Sequence, residues 1–164
     1  MDLGLVSKLI HVLSAMWFIS GVIGRGVTFA QAARATQIST AHTLLTLSDF
    51  FEQRMVVPGS MAVFGFGLLV AWLRGWPLWG FLQGAHSNWL LTSLILFLAP
   101  TPMIPLYLIP RRRQRAKLAE EALARGAVTA ELTAALHDQG VMTYRMVELV
   151  VAVVVTILMV TKPF

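Results

Sequence analysis

Residues 3–24, LGLVSKLIHVLSAMWFISGVIG, decide the fold of this chain. Lys8 and His11 are the strongly polar side chains in this run. A helix needs about 20 predominantly apolar residues to cross the hydrocarbon core of a bilayer, so the run predicts a membrane-spanning helix. It is longer than the apolar core of a secretory signal peptide, about 7–15 residues, and no small-residue cleavage site follows it. We therefore do not expect it to be cleaved.

Three further apolar runs lie at about residues 55–73, 89–109 and 145–161. With the first run they predict an all-α fold, a four-helix transmembrane bundle in which residues 1–164 form a single domain. The prolines of the third run remove backbone donors and clash with the preceding turn, so a kink or helix end is expected near Ala99.

The composition is typical of an integral membrane protein. The 164 residues are 57% hydrophobic and 13% charged, and the mean hydropathy is +0.71. Ordinary soluble domains are about 45–50% apolar and about 25% charged. Because cysteine is absent, disulfide scaffolds, thiol nucleophiles and cysteine-ligated metal centres are excluded. The net charge of +5 does not indicate nucleic-acid binding, since no aromatic or glycine-rich module accompanies the basic residues.

The two long connections carry patterns of their own. Apolar residues recur at near-helical spacing over residues 41–54, which predicts an amphipathic helix lying on the membrane surface. Residues 111–140 predict a soluble helical hairpin, with helices at about 114–125 and 129–139 and Gly126 in the turn.

The charge distribution predicts the orientation. With four spans, both long connections lie on one side, which then holds ten of the thirteen lysines and arginines. The other side holds Lys8, Arg74 and Lys162. The positive-inside rule places both termini outside and both long connections in the cytoplasm, so we expect a multi-pass protein of the cell's inner (cytoplasmic) membrane. Its partner is the lipid bilayer, and small residues in the second span (Gly59, Gly65, Gly67, Ala71) offer a packing face for a homo-oligomer or larger membrane complex.

His11 is the principal candidate site residue, because burying a polar group in a membrane is costly and usually functional. It shares one face of the first helix with Phe18 and with polar and small residues, namely Lys8, Ser14, Ala15, Gly21 and Arg25. This face is expected to point into the bundle. Such a histidine can bind haem iron, bind another metal, relay protons or hydrogen-bond a neighbouring helix, and the residue pattern leaves these alternatives open.

Other polar residues form a second set of candidates. His86 lies near the outer end of the third span, where it either pairs with His11 as a ligand or is an interfacial histidine. Arg25 and Arg54 lie near the cytoplasmic face. They either pair with an acid, as in Glu148 with Arg54 or Arg25, or meet a substrate carboxylate or propionate.

The residues now named resemble those of a known family. The segment from Lys8 and His11 through Trp17, Gly21 and Arg25 is similar to the opening of the HemJ-type protoporphyrinogen oxidases, which are small four-span membrane proteins. Residues 51–55, FEQRM, followed by Pro58 and Met61, resemble the second motif of that family, and residues 160–164, VTKPF, resemble its ending. The resemblance implies haem b bound by His11 and oxidation of a porphyrinogen. His86, Arg25 and Arg54, named above from the residue pattern, are the further candidate cofactor contacts.

The chain departs from that family at two positions. Asn88 stands where the family has a lysine in the third span, and Arg145 to Glu148 replace the asparagine–glutamate opening of the fourth. The chain also resembles a related group of four-span predicted integral membrane proteins that shares the first opening and the lysine–proline ending and has no known activity. The alternative function is therefore a non-enzymatic membrane subunit without a cofactor. A small transporter or proton-conducting protein is a third hypothesis.

Overall fold

The computed structural model describes residues 2–163, and this part of the chain is helical without any strand, as the sequence predicts. Seven α-helices follow one another: α1 Leu3–Arg34, α2 Ile38–Phe51, α3 Val57–Leu73, α4 Trp89–Leu98, α5 Ile109–Arg125, α6 Ala130–Leu136 and α7 Gln139–Thr161. π-Helical turns occupy Glu52–Val56 and Ile104–Leu108, and a 3₁₀ turn occupies Gly80–Gln83.

Three helical segments are long and apolar enough to cross a membrane: Leu3–Arg34, Ile38–Leu73 and Ala130–Thr161. They contain the first, second and fourth predicted spans. The third predicted span, residues 89–109, is not one helix, because α4 ends at Leu98 and the chain turns before the π-helical turn. The break expected near Ala99 is thus confirmed, and Pro100 and Pro102 in the following turns explain it.

The structure corrects the expectation of a surface helix at residues 41–54. Helix α2 passes through the π-helical turn Glu52–Val56 directly into α3, so Ile38–Leu73 is one helical segment of 36 residues. At 1.5 Å per residue its length is about 54 Å, well beyond the membrane core of about 30 Å. Pro58 lies in the first turn of α3, where its missing donor is tolerated. Ile38, Ala41 and Leu45 of α2 are buried against other helices of the chain. Leu47 and Phe50 remain exposed.

The first helix is also longer than the predicted span 3–24. It runs ten residues further, to Arg34, and packs along α2 and α3. Phe18, Gly21 and Arg25 of its predicted inner face are buried, whereas Lys8 is exposed. Glycines allow the close approach: a Cβ at Gly59 of α3 would lie 3.0 Å from the backbone of Phe18. Gly59, which the sequence offered as part of a packing face for an oligomer, therefore packs against α1 of the same chain.

Residues 25–54 and 109–145 form what we call the polar end of the molecule. A core of nine buried apolar residues joins α1, α2, α5 and α6 there: Phe29, Ala32, Ile38, Ala41, Leu45, Ala119, Ala122, Leu132 and Leu136. The predicted hairpin is confirmed as α5 and α6, and Gly126 turns the chain with a φ of 72°. Thr129 caps α6, since its hydroxyl accepts a hydrogen bond from the Leu132 amide at 3.3 Å.

Both ends of α7 have contacts with the segment that follows α3. Near its C-terminus, Met159 packs against a cluster that contains Ala71 and Trp89. Near its N-terminus, the Tyr107 hydroxyl donates a hydrogen bond of 2.9 Å to Asp138. Asp138 also caps α7 by accepting from two amides of the first turn. The segment from Trp89 to Tyr107 consequently extends along α7 from one end to the other.

Candidate functional site

His11 is a residue of α1, and its side chain reaches α3. Its Nδ1 is 3.0 Å from the carbonyl oxygen of Val63. A carbonyl only accepts, so in the neutral imidazole Nδ1 carries the proton and donates it, and Nε2 retains its lone pair. Metal-ligating histidines commonly have this arrangement, in which one ring nitrogen donates to a carbonyl and the other binds the ion.

Gly67 gives the imidazole its space. A Cβ built on Gly67 would lie 3.0 Å from Cε1 and 3.3 Å from Nδ1 of His11, closer than ordinary van der Waals contact. Phe97 of α4 meets both of these helices, since its ring centroid lies 6.0 Å from that of Phe64 on α3 and 6.4 Å from that of Phe18 on α1. His11 itself is partly buried.

The other candidate residues lie elsewhere. His86 is exposed in the connection before α4. The neighbouring Asn88 has a structural role, because its Oδ1 accepts a hydrogen bond of 2.8 Å from the amide of Phe81 and closes that connection. Nothing among residues 2–163 places His86 against His11, and the paired histidine ligand stays a prediction.

Arg25 is the centre of a buried ionic triad. It is 5% exposed, and it donates hydrogen bonds to Glu52 and to Glu148 through different guanidinium nitrogens. The pairing of Glu148 with Arg25 that the sequence suggests is therefore present. Fourteen positions separate Arg25 from His11 on α1, which is about 21 Å along a helix. Arg25 and His11 thus belong to different sites.

Arg54 is not part of the triad. It is exposed and lines a groove of about 450 Å³ between α2 and α5, together with His42, Arg112 and Glu120. Sequence patterns did not indicate this groove, because it depends on the packing of α5 against α2. Arg54 is accordingly available to a solvent-side ligand rather than to one at His11.

The opposite end of the molecule has an aromatic and basic cluster. The Lys162 ammonium lies 4.2 Å from the centroid of the Trp76 ring and 5.2 Å from that of Trp89, and the two rings meet edge to face at 5.2 Å. Cation–π contacts of this kind contribute about 0.5–2 kcal/mol each. The lysine of the C-terminal motif thereby ties α7 to the connection between α3 and α4.

A multi-residue metal centre does not arise in the described part of the chain. No group of three or more histidine and carboxylate side chains converges among residues 2–163. A metal at His11 would accordingly have a single protein ligand. That condition fits a macrocycle that brings its own equatorial ligands better than it fits a bare ion.

Comparison with known proteins identifies the family. The model of a family described as a predicted integral membrane protein, DUF2269, matches residues 5–163, so the chain belongs to this family. The match bears out the resemblance to predicted integral membrane proteins and concerns no HemJ-type oxidase. No curated protein matches the chain, and no solved structure matches it.

Proposed function

We propose that this member of the DUF2269 family binds b-type haem in the membrane, where Nε2 of His11 would hold the iron. The observation that carries the proposal is the hydrogen bond from Nδ1 to the Val63 carbonyl, which leaves the ligating nitrogen deprotonated. The glycine at position 67 supports it, since a larger residue there would displace the imidazole. Haem held in this way supplies one-electron redox chemistry.

The chain's own residues have defined parts in this proposal. His11 would hold the iron, the Val63 carbonyl orients the imidazole, and Phe18, Phe64 and Phe97 contribute aromatic surface between α1, α3 and α4. Arg25 is not a partner for a haem propionate at His11, because it is bonded to two glutamates about four turns away. We do not extend this function to oxidation of a porphyrinogen. Asn88 stands where the HemJ-type oxidases have a lysine, and its side chain accepts a hydrogen bond from the Phe81 amide.

A visible spectrum tests the proposal. We expect protein purified in mild detergent after haem-replete expression to show a Soret band, and the variant His11→Gln to lose it. His137→Gln is the matched control, because His137 is exposed and distant from α3. A shifted band in His86→Gln would identify a second ligand. A colourless wild-type protein, or an unchanged band in His11→Gln, would contradict haem ligation by His11.

The same hydrogen bond favours a second candidate function, a non-enzymatic membrane subunit in which His11 only ties α1 to α3. Hydrogen bonds between membrane helices contribute about 0.6 kcal/mol on average. In that case wild type and His11→Gln are both colourless. The substitution then lowers the free energy of unfolding by about 0.6 kcal/mol, the loss of one such hydrogen bond. The spectrum and the unfolding measurement together separate the two functions.

A four-crossing topology with both termini outside the inner (cytoplasmic) membrane completes the proposal. It is supported by the segment from Trp89 to Tyr107, which extends along the whole of α7, and by the concentration of basic residues at the polar end. In such a topology the interrupted backbone after Leu98 lies against protein or water rather than lipid.

Labelling of engineered cysteines tests this topology, since the chain has none of its own. Gln83 and Gln114 are both exposed, one before α4 and the other in α5. In intact cells we expect a membrane-impermeant maleimide to label Gln83→Cys and to reach Gln114→Cys only after permeabilisation. Labelling of both variants from the same side would exclude a crossing between them.

A further inference from the structure

We propose that a cavity at the polar end, between Arg115 and Arg145, is a binding site for a phosphate-type oxyanion. The oxyanion is either the headgroup of an anionic lipid or a soluble phosphate. The site is separate from His11 and does not depend on haem binding.

The charges at the cavity do not balance. Arg25 is paired with Glu52 and Glu148, and Arg112 is paired with Asp49 at 2.9 Å. Arg115 and Arg145 also line the cavity. Neither has a carboxylate within 4.0 Å among residues 2–163. Counting these groups gives four guanidinium groups and three carboxylates, an excess of one positive charge in a largely buried place.

The two unpaired guanidinium groups lie on the same aromatic ring. Arg145 is 3.7 Å and Arg115 is 4.8 Å from the centroid of Phe29. The ring attracts both cations, but it cannot neutralise either of them. Burial lowers the pKa of Arg115, which nearby Asp49 partly offsets and Arg112 lowers further. Two like charges beside the same ring and largely away from water repel each other unless an anion neutralises them.

Arg145 also has an unused donor. Its Nη1 is fully buried and has no hydrogen-bond partner in the described part of the chain. Buried polar atoms in proteins are almost always bonded, and an unbonded charged donor is costlier than a neutral one. An oxyanion in the adjoining cavity would accept this hydrogen bond and neutralise the excess charge at once.

The cavity has the size and the walls for such a ligand. Its volume is about 50 Å³, whereas a single water needs about 10–15 Å³. Tyr144 lines it beside the arginines, and Ile104, Leu108 and Ile109 form an apolar wall. Guanidinium groups bind phosphate and carboxylate through paired N–H donors, which gives the site its preference for an oxyanion over chloride. The exposed apolar wall suits a lipid whose acyl chains remain outside.

Thermal unfolding in detergent tests the site with two probes. The first is sodium phosphate, compared with sodium chloride at equal ionic strength. The second is phosphatidylglycerol in mixed micelles, compared with phosphatidylcholine. At about 100 times its dissociation constant, a ligand of the native state should raise the Tm of wild type by about 5 °C or more. We expect this shift to disappear in Arg145→Gln and in Arg115→Gln.

Arg113→Gln is the matched control, because Arg113 is an exposed arginine of the same helix, two positions before Arg115. It should retain the full shift. A shift with phosphate identifies a soluble ligand, and a shift with phosphatidylglycerol alone identifies a lipid headgroup. The proposal is overturned if neither probe raises the Tm, if chloride at equal ionic strength is as effective, or if Arg113→Gln loses as much of the shift as the two site variants.

Discussion

Replacing Arg25 with methionine is expected to lower the free energy of unfolding by about 3–5 kcal/mol. The buried guanidinium is the shared partner of Glu52 and Glu148, which reach it from the π-helical turn and from α7. Without it, two carboxylates face each other with little water to solvate them. We expect this loss to appear as a lower denaturant midpoint in detergent.

Two further variants distinguish the loss of the buried charges from other effects of the substitution. Arg34→Met removes an exposed arginine from the end of the same helix and should change stability little. The triple variant Arg25→Met, Glu52→Gln, Glu148→Gln removes all three charges and should recover most of the lost stability, because uncharged groups of similar volume often replace a buried ion pair without cost. A triple variant as unstable as Arg25→Met would show that the triad acts through packing rather than charge.

The second large effect is expected at Gly21, where α1 meets the π-helical turn between α2 and α3. A Cβ at this position would lie 2.6 Å from the Cβ of Met55 and 3.2 Å from the backbone nitrogen of Val56. Neither atom belongs to the flexible end of a side chain, so Gly21→Ala must separate the helices. Overpacking of this kind costs about 1–3 kcal/mol. Denaturant unfolding in detergent measures the loss.

Gly26→Ala is the control on the same helix. Nothing lies within 4 Å of a Cβ built there, and alanine favours a helix over glycine by about 0.5–1 kcal/mol. The two substitutions therefore have opposite expected signs, although they are chemically identical and five residues apart. Equal effects would mean that helix propensity, and not the close approach of α1 to Met55, controls stability here.

Several features could be predicted because they depend on local sequence. The length of the apolar runs predicted the helices, the prolines predicted the break after Leu98, and Gly126 predicted the turn between α5 and α6. The amphipathic spacing of residues 41–54 correctly predicted a helix. It did not predict that Ala41 and Leu45 pack on other helices of the chain while Leu47 and Phe50 stay exposed, because the spacing is the same for a face that meets lipid and for one that meets protein.

Part of the candidate site could not have been found in this way. His11 was visible as a polar residue in an apolar run, but its partner is the backbone carbonyl of Val63, which any residue would provide. The pairing of Glu148 with Arg25 was one of two suggested, and the sequence contained no reason to prefer it. The second carboxylate, Glu52, joins because the π-helical turn continues α2 into α3 and sets its direction.

The sequence by itself determined that this chain is a helical membrane protein, since apolar length and the distribution of charge act on each segment separately. It also determined the absence of thiol chemistry. Only the tertiary structure decided which polar groups are satisfied within the membrane and at its edge. Arg115 and Arg145 are thirty positions apart, and their convergence on Phe29 depends on how three helices pack. Because these arginines are largely buried, their excess positive charge favours a bound anion, whereas the same charge on an exposed surface would be solvated by water.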